Sequence, residues 1–203
     1  MTLRQRDSSA AGEKPMLDTN CRQILLQIAR QAIADATADR LPAALILTDL
    51  PTVIQANGAC FVTLTQHGAL RGCIGSLEAR QPLARDVQEH AVDAALNDYR
   101  FTPLRHNEVD AVRIEISVLS APEPLAYSAP EELPGGLRPG LDGVILANGL
   151  RRATFLPQVW DKVPDVDSFL DMLCEKMGAD AGLWRRQKLE VYTYQVENFE
   201  EPV

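Results

Sequence analysis

The 203-residue chain predicts an α+β fold, with a mixed or antiparallel sheet flanked by helices. Three observations carry that expectation. Apolar residues recur at helical spacing in three separate stretches, around residues 24–36, 83–95 and 169–177. Strict apolar and polar alternation, the mark of a half-buried strand, runs over 112–119. The two patterns are interleaved without the regular strand–helix–strand rhythm that a doubly wound parallel sheet requires.

Taken in chain order, residues 1–17 are small and polar and predict a disordered tail. Asp18 or Thr19 can cap a helix that runs to about Asp39 and buries Ile24, Leu25, Ile28, Ala32, Ile33 and Ala36 on one face. Residues 41–58 mix a short apolar run with Pro and Asn-Gly turn signals, which predicts a loop holding one short element. Residues 60–75 predict a β-hairpin, because the first arm is rich in β-branched and aromatic residues and His67-Gly68 tolerates positive φ. Pro82 suits the first turn of a helix whose inner stripe is Leu83, Val87, Ala91, Ala94 and Ala95. In 112–119, Val112, Ile114, Ile116 and Val118 face one way, and Arg113, Glu115 and Ser117 the other.

The stretch 121–141 holds five prolines and three glycines, which predicts a connector or a lid. A second hairpin follows over 143–156, expected to turn at Asn148-Gly149. Asp165 or Asp167 begins a helix with Phe169, Leu170, Leu173 and Met177 inside and Gly178 at its stop. A last strand is expected over 189–196.

Composition narrows the classes of function. Twenty basic residues against twenty-eight acidic ones leave a formal charge of −8, which disfavours non-specific nucleic-acid binding. No apolar run reaches the roughly 18 residues of a membrane span, and the N-terminal residues show no secretory signal pattern. A cytoplasmic protein is the expectation, without nucleic-acid or membrane partners. Cys21, Cys60, Cys73 and Cys174 form no CxxC pair, and His67, His90 and His106 form no HxxxH pair, so neither a bound metal nor a cofactor is expected.

Chemistry concentrates in Leu70-Arg71-Gly72-Cys73-Ile74-Gly75. Two glycines inside a strand pattern suggest a bulge, or close approach of another backbone or a ligand. Arg71 offers a planar fork suited to a carboxylate or phosphate. Cys73 carries a thiol that a nearby guanidinium could activate, since an unperturbed thiol titrates near pH ~8.5. Two registers are open. A plain two-residue turn places Val62 opposite Cys73 and makes the thiol a buried filler; a bulge reverses the facing. Arg71 has either a protein carboxylate or a ligand anion as partner. Glu115 is either a solvated strand residue or a cleft carboxylate able to move protons. Arg100 is either a helix-end cation or an anion ligand. Cys73 and Glu115 are thus the candidate catalytic groups, and Arg71, Gly72, Gly75 and Arg100 the candidate ligand-binding ones.

The sequence also resembles the AMMECR-one domain family. LRGCIG at 70–75 matches its signature, with FVTL at 61–64 before it and DYRFTPL at 98–104, IEISVL at 114–119 and FLPQV at 155–159 after it, closing on Phe199-Glu200. The likeness runs from about residue 20 to 201, and the branch it most resembles is that of the bacterial AmmeMemoRadiSam system protein A. It implies a domain over 18–203 with two subdomains and the signature near a cleft between them. It also implies radical SAM and Memo-like proteins as possible partners, and brings no established reaction. Three readings follow: a component of a radical-SAM-linked modification system, an autonomous enzyme using Cys73 as nucleophile on a small anionic substrate, or a non-enzymatic interaction module.

Overall fold

The computed structural model describes residues 17–202. The tail expected over 1–17 lies outside them except for Leu17, which is buried and whose N–H donates to the Glu197 carboxylate at 3.1 Å. Among the described residues no helix is long and apolar enough to cross a membrane.

Two antiparallel sheets organise the chain. The first has the order β2-β1-β4-β9, from Ala69–Gly75, Asn57–Gln66, Val112–Leu119 and Val196–Glu200, and the short β3 (Gln81–Pro82) also pairs with β1. The second has the order β5-β8-β6-β7, from Glu123–Pro124, Glu190–Tyr194, Gly143–Asn148 and Arg151–Phe155. The fold is α+β, as the interleaved patterns predict.

On one face of the first sheet lie α1 (Thr19–Thr37) and α3 (Leu83–Leu96). Asp18 caps α1 by accepting the Cys21 N–H, and Leu25, Ala29, Ala32 and Ile33 are buried against Val62, Leu64, Ile114 and Ile116. Pro82 is the residue before α3 rather than inside its first turn, and it pairs with Asn57. Residues 41–58 hold more than one short element: a 3₁₀ turn at Leu47–Asp49, then α2 (Thr52–Gln55), with β1 starting where Asn57-Gly58 reads as a turn.

The second sheet buries one face under α4 (Leu133–Gly136), α5 (Val166–Lys176) and α6 (Leu183–Arg186). Trp160 stacks on Phe169 at 3.6 Å between ring centres, and its indole N–H donates to the Asp142 carbonyl. The proline-rich stretch does more than connect, because Leu133 and Leu137 are part of this core. The second hairpin turns one residue later than expected, at Gly149-Leu150. Gly149 alone takes a positive φ (60°), and Asn148 pairs with Arg151.

The last strand is two strands. It breaks at Gln195, so β8 joins the second sheet and β9 the first. The chain crosses between the lobes a first time just after β4, and there the Ser120 N–H donates to the Gln195 carbonyl while the Gln195 N–H donates to the Ser120 hydroxyl. Beside this double crossing a small core of Ala59, Leu119, Ile145 and Tyr194 joins the two sheets.

At Gly72 the helix backbone comes close to the sheet. A Cβ there would lie 2.0 Å from the Ala94 carbonyl oxygen of α3. Gly72→Ala is therefore expected to lower stability by about 2–3 kcal/mol, as overpacking against backbone does. Urea denaturation checks this, and an unchanged midpoint would show that α3 does not press on β2.

Candidate functional site

The position of Cys73 follows from one irregularity. His67 and Gly68, at φ 52° and 78°, close the first hairpin in two residues. Beyond them the ladder slips: Thr65 faces Leu70, Leu64 faces Gly72, and Arg71 is the extra residue between. The bulge reverses the facing of all that follows, so Thr63 rather than Val62 lies opposite Cys73. Of the two registers open from the sequence, the structure has the bulged one.

That register puts Cys73, Thr63 and Glu115 in one row across three strands, on the face of the sheet away from α1 and α3. The Thr63 hydroxyl donates to the Cys73 sulfur at 3.3 Å. Between this face and the second lobe lies a cavity of about 300 Å³. Phe61, Thr63, Cys73, Glu115 and Ser117 line one side; Leu156, Gln158, Val159 and Lys162 line the other, with Val196 between the lobes. Its size is at the small end for ligand cavities. The walls are mainly apolar, and the charged groups in them are Glu115 and Lys162.

The arginines face elsewhere. Arg71, 13% exposed at its side chain, donates to the Thr102 carbonyl at 2.9 Å and sits 3.4 Å from both Glu108 oxygens. Arg100 donates to the Cys73 carbonyl at 3.0 Å and to the Asp98 carboxylate, which in turn accepts the Cys73 N–H at 2.8 Å. Asp98 and Arg100 thus supply Cys73, on the open edge of the sheet, with the two backbone partners a further strand would give. The Arg100 guanidinium, with the Cys73 N–H, holds the Asp98 carboxyl well below the usual carboxylate range. Gly72 and Gly75 give room for protein: Gly72 for the α3 backbone, and Gly75 for the Cys60 carbonyl and the Phe61 ring.

The other thiols differ from Cys73 in burial. Cys21, Cys60 and Cys174 are buried, whereas Cys73 is partly exposed. Burial pushes Cys21 up to about 11, with Asp18 adding to it, and raises Cys60 and Cys174 above the usual thiol value.

The structure therefore brings Cys73 and Glu115 to one cavity and turns Arg71 and Arg100 toward protein partners. Thr63, Ser117 and Lys162 were not singled out as site residues from the sequence. The parity of Thr63 with Phe61, and of Ser117 with Glu115, was a usable signal. Lys162 had none, since it arrives from the other lobe, just after the 3₁₀ turn at Pro157–Asp161. A second cluster also went unread: Asp86 and His90, four apart on α3, lie against Cys60 of β1.

Comparison with known proteins bears on both lobes. Residues 26–199 match the family model described as AMMECR1. A protein of Methanothermobacter thermautotrophicus is 38% identical over 186 residues, covering 87% of this chain and 92% of that protein. One of Methanocaldococcus jannaschii is 34% identical over 164 residues, covering 77% of this chain and 80% of its own length. The crystal structure of an uncharacterized protein from Pyrococcus horikoshii superposes with a TM-score of 0.76 at 31% identity, covering 91% of this chain and 93% of that one.

The Asp98–Arg100 pair has a pH signature. Because the folded state depresses the Asp98 pKa, the stability it contributes is complete above the unfolded carboxylate value of about 4 and is lost as pH falls through the folded value. Asp98→Asn is expected to cost about 2–3 kcal/mol near pH 6, with the gap from wild type narrowing steadily below pH ~4. Denaturant titrations of both proteins across that range check it, and a gap independent of pH would remove the assignment.

Proposed function

The chain belongs to the AMMECR1 family, and from that premise we propose that it serves a radical-SAM-linked modification system, with the inter-lobe cavity as its working site and Cys73 as its reactive group. The observation that carries this reading is the contrast among the thiols: Cys73 lines a cavity, and the other three are buried. Support for the system comes from the signature at 70–75 and its resemblance to the AmmeMemoRadiSam protein A branch.

In this reading the Thr63 hydroxyl, which donates to the Cys73 sulfur, holds it at the cavity wall. Cys73 then adds to an electrophilic double bond of a small, partly apolar molecule: the bond to sulfur forms as the π bond opens, and the thiol proton passes through solvent to the atom that receives the electron pair. Glu115 lies two strands from Cys73, which at interstrand spacings of about 4.8 Å is roughly 10 Å, too far to take the thiol proton. Its role is at the other end of the bound molecule, and Lys162 supplies the cation for an anionic group there. Arg71 and Arg100 enter as positioning residues that hold the bulge and the Cys73 backbone.

Per-site alkylation followed by mass spectrometry tests the assignment. Cys73 is expected to react with iodoacetamide at least tenfold faster than Cys21, Cys60 and Cys174, and Cys73→Ser to abolish activity of the reconstituted system while leaving the fold intact. Equal rates at all four sites, or full activity in Cys73→Ser, would sink it. Glu115→Gln is expected to leave the Cys73 alkylation rate within about twofold while removing activity; a large fall in that rate would instead make Glu115 the base for the thiol.

A further inference from the structure

We propose that Cys60, Asp86 and His90 form a site for a divalent transition metal of the zinc class, on the face of the first sheet opposite the cleft. They are the one trio among the described residues in which three donors of these types, a thiol, an imidazole and a carboxylate, lie within 4.8 Å of one another. Two come from one helix: Asp86 and His90 are four apart on α3, which puts them on the same face one turn apart. The third is on β1, where Cys60 shares the helix-facing side of the strand with Val62 and Leu64.

The spacing suits a metal. Zinc–ligand distances of about 2.0–2.3 Å at tetrahedral angles require donor atoms roughly 3.3–3.7 Å apart. His90 Nδ1 is 3.3 Å from Asp86 Oδ2 and 3.8 Å from Cys60 Sγ. One soft sulfur with one imidazole and one oxygen is a set that zinc and its neighbours accept and that calcium or magnesium does not. Three protein ligands leave the fourth position for water.

The surroundings supply the support that ligated groups need. Asp86 Oδ2 also accepts the Cys60 N–H at 2.9 Å, and Asp86 Oδ1 accepts the Gln81 carboxamide at 3.3 Å, so the carboxylate is oriented on both sides. Gln81 in turn donates to Glu89 at 2.7 Å. Cys60 and Asp86 are buried, and the partly exposed His90 is the trio's contact with solvent. On binding, the sulfur coordinates as thiolate and the Cys60 proton leaves to solvent, so loading releases a proton. The bound ion would tie β1 to α3, the helix whose Ala94 carbonyl rests on Gly72.

Cobalt(II) reports thiolate ligation by its near-ultraviolet charge-transfer band. The reduced, chelator-treated full chain is expected to develop that band to one equivalent of cobalt and lose it on adding zinc. Zinc at a hundredfold excess over its Kd is expected to raise the melting temperature by roughly 5–10 °C. Cys60→Ser is expected to abolish the band and His90→Gln to weaken binding more than tenfold, whereas Cys73→Ser leaves both unchanged. The proposal is overturned if the wild-type protein shows no band, since the trio is then only a hydrogen-bonded core cluster. It is equally overturned by a band that survives Cys60→Ser or disappears in Cys73→Ser. Should Cys60→Ser fail to fold, zinc K-edge absorption on the wild-type protein decides: one sulfur among nitrogen and oxygen neighbours is expected, and a shell with no sulfur or with several overturns the site.

Discussion

The one-residue bulge at Arg71 determines which side of the first sheet carries the Cys73 thiol, and the lining of the cleft depends on that side. Side chains alternate along a strand, so without the slip Cys73 would point toward α1 and α3 and be packed among leucines and isoleucines. A bulge leaves one residue without a ladder partner, and here that residue is an arginine. Its guanidinium is satisfied by the Thr102 carbonyl and the Glu108 carboxylate, both beyond α3 in the chain. The Glu108 carboxyl, which also accepts the Arg105 N–H, is drawn below its usual range first by that bond and then by Arg71. The irregularity is therefore fixed from outside the hairpin, by segments that follow α3 in the chain.

The same economy governs the free edge. A strand at the end of a sheet presents unpaired N–H and C=O groups that invite another chain to add on. At Cys73 those groups are taken by Asp98 and Arg100, so the residue whose side chain lines the cavity is closed on its backbone. Gly72 and Gly75 on either side let α3 and the Cys60–Phe61 segment of β1 come close enough to confine the strand. Rigidity of the backbone and access to the side chain are thus obtained from different neighbours.

Much of this was legible from residue order alone, and the parts that were not share a cause. The helices of 19–37, 83–96 and 166–176 and the strand of 112–119 declare themselves by local periodicity, and Asp18 and Asp165 by capping. The bulge could be named only as one of two registers, because the deciding contacts to Thr102 and Glu108 are more than thirty residues away. The break at Gln195 is invisible because no glycine or proline lies between Leu189 and Glu200 to mark it; only the existence of a second sheet separates the two halves. Cys73 and Glu115 stand out in the sequence because each is chemically conspicuous, whereas Lys162 joins them at the cavity only when the lobes are brought together. Cys60, Asp86 and His90 escaped because a search for paired histidines or paired cysteines does not register a mixed trio shared between a helix and a strand.

The double crossing at Ser120 and Gln195 has a consequence for how such a molecule can change. β4 and β9 are adjacent antiparallel strands of the first sheet, and the whole second lobe is spliced between them. Its two ends leave side by side, tied by a pair of hydrogen bonds. In topological terms the lobe occupies the place of a hairpin loop, and a loop is the part of a sheet that tolerates replacement. The wall of the cavity that bears Leu156, Gln158 and Lys162 can therefore be resized or exchanged as a cassette, while the wall that bears Cys73 stays fixed by its own helices.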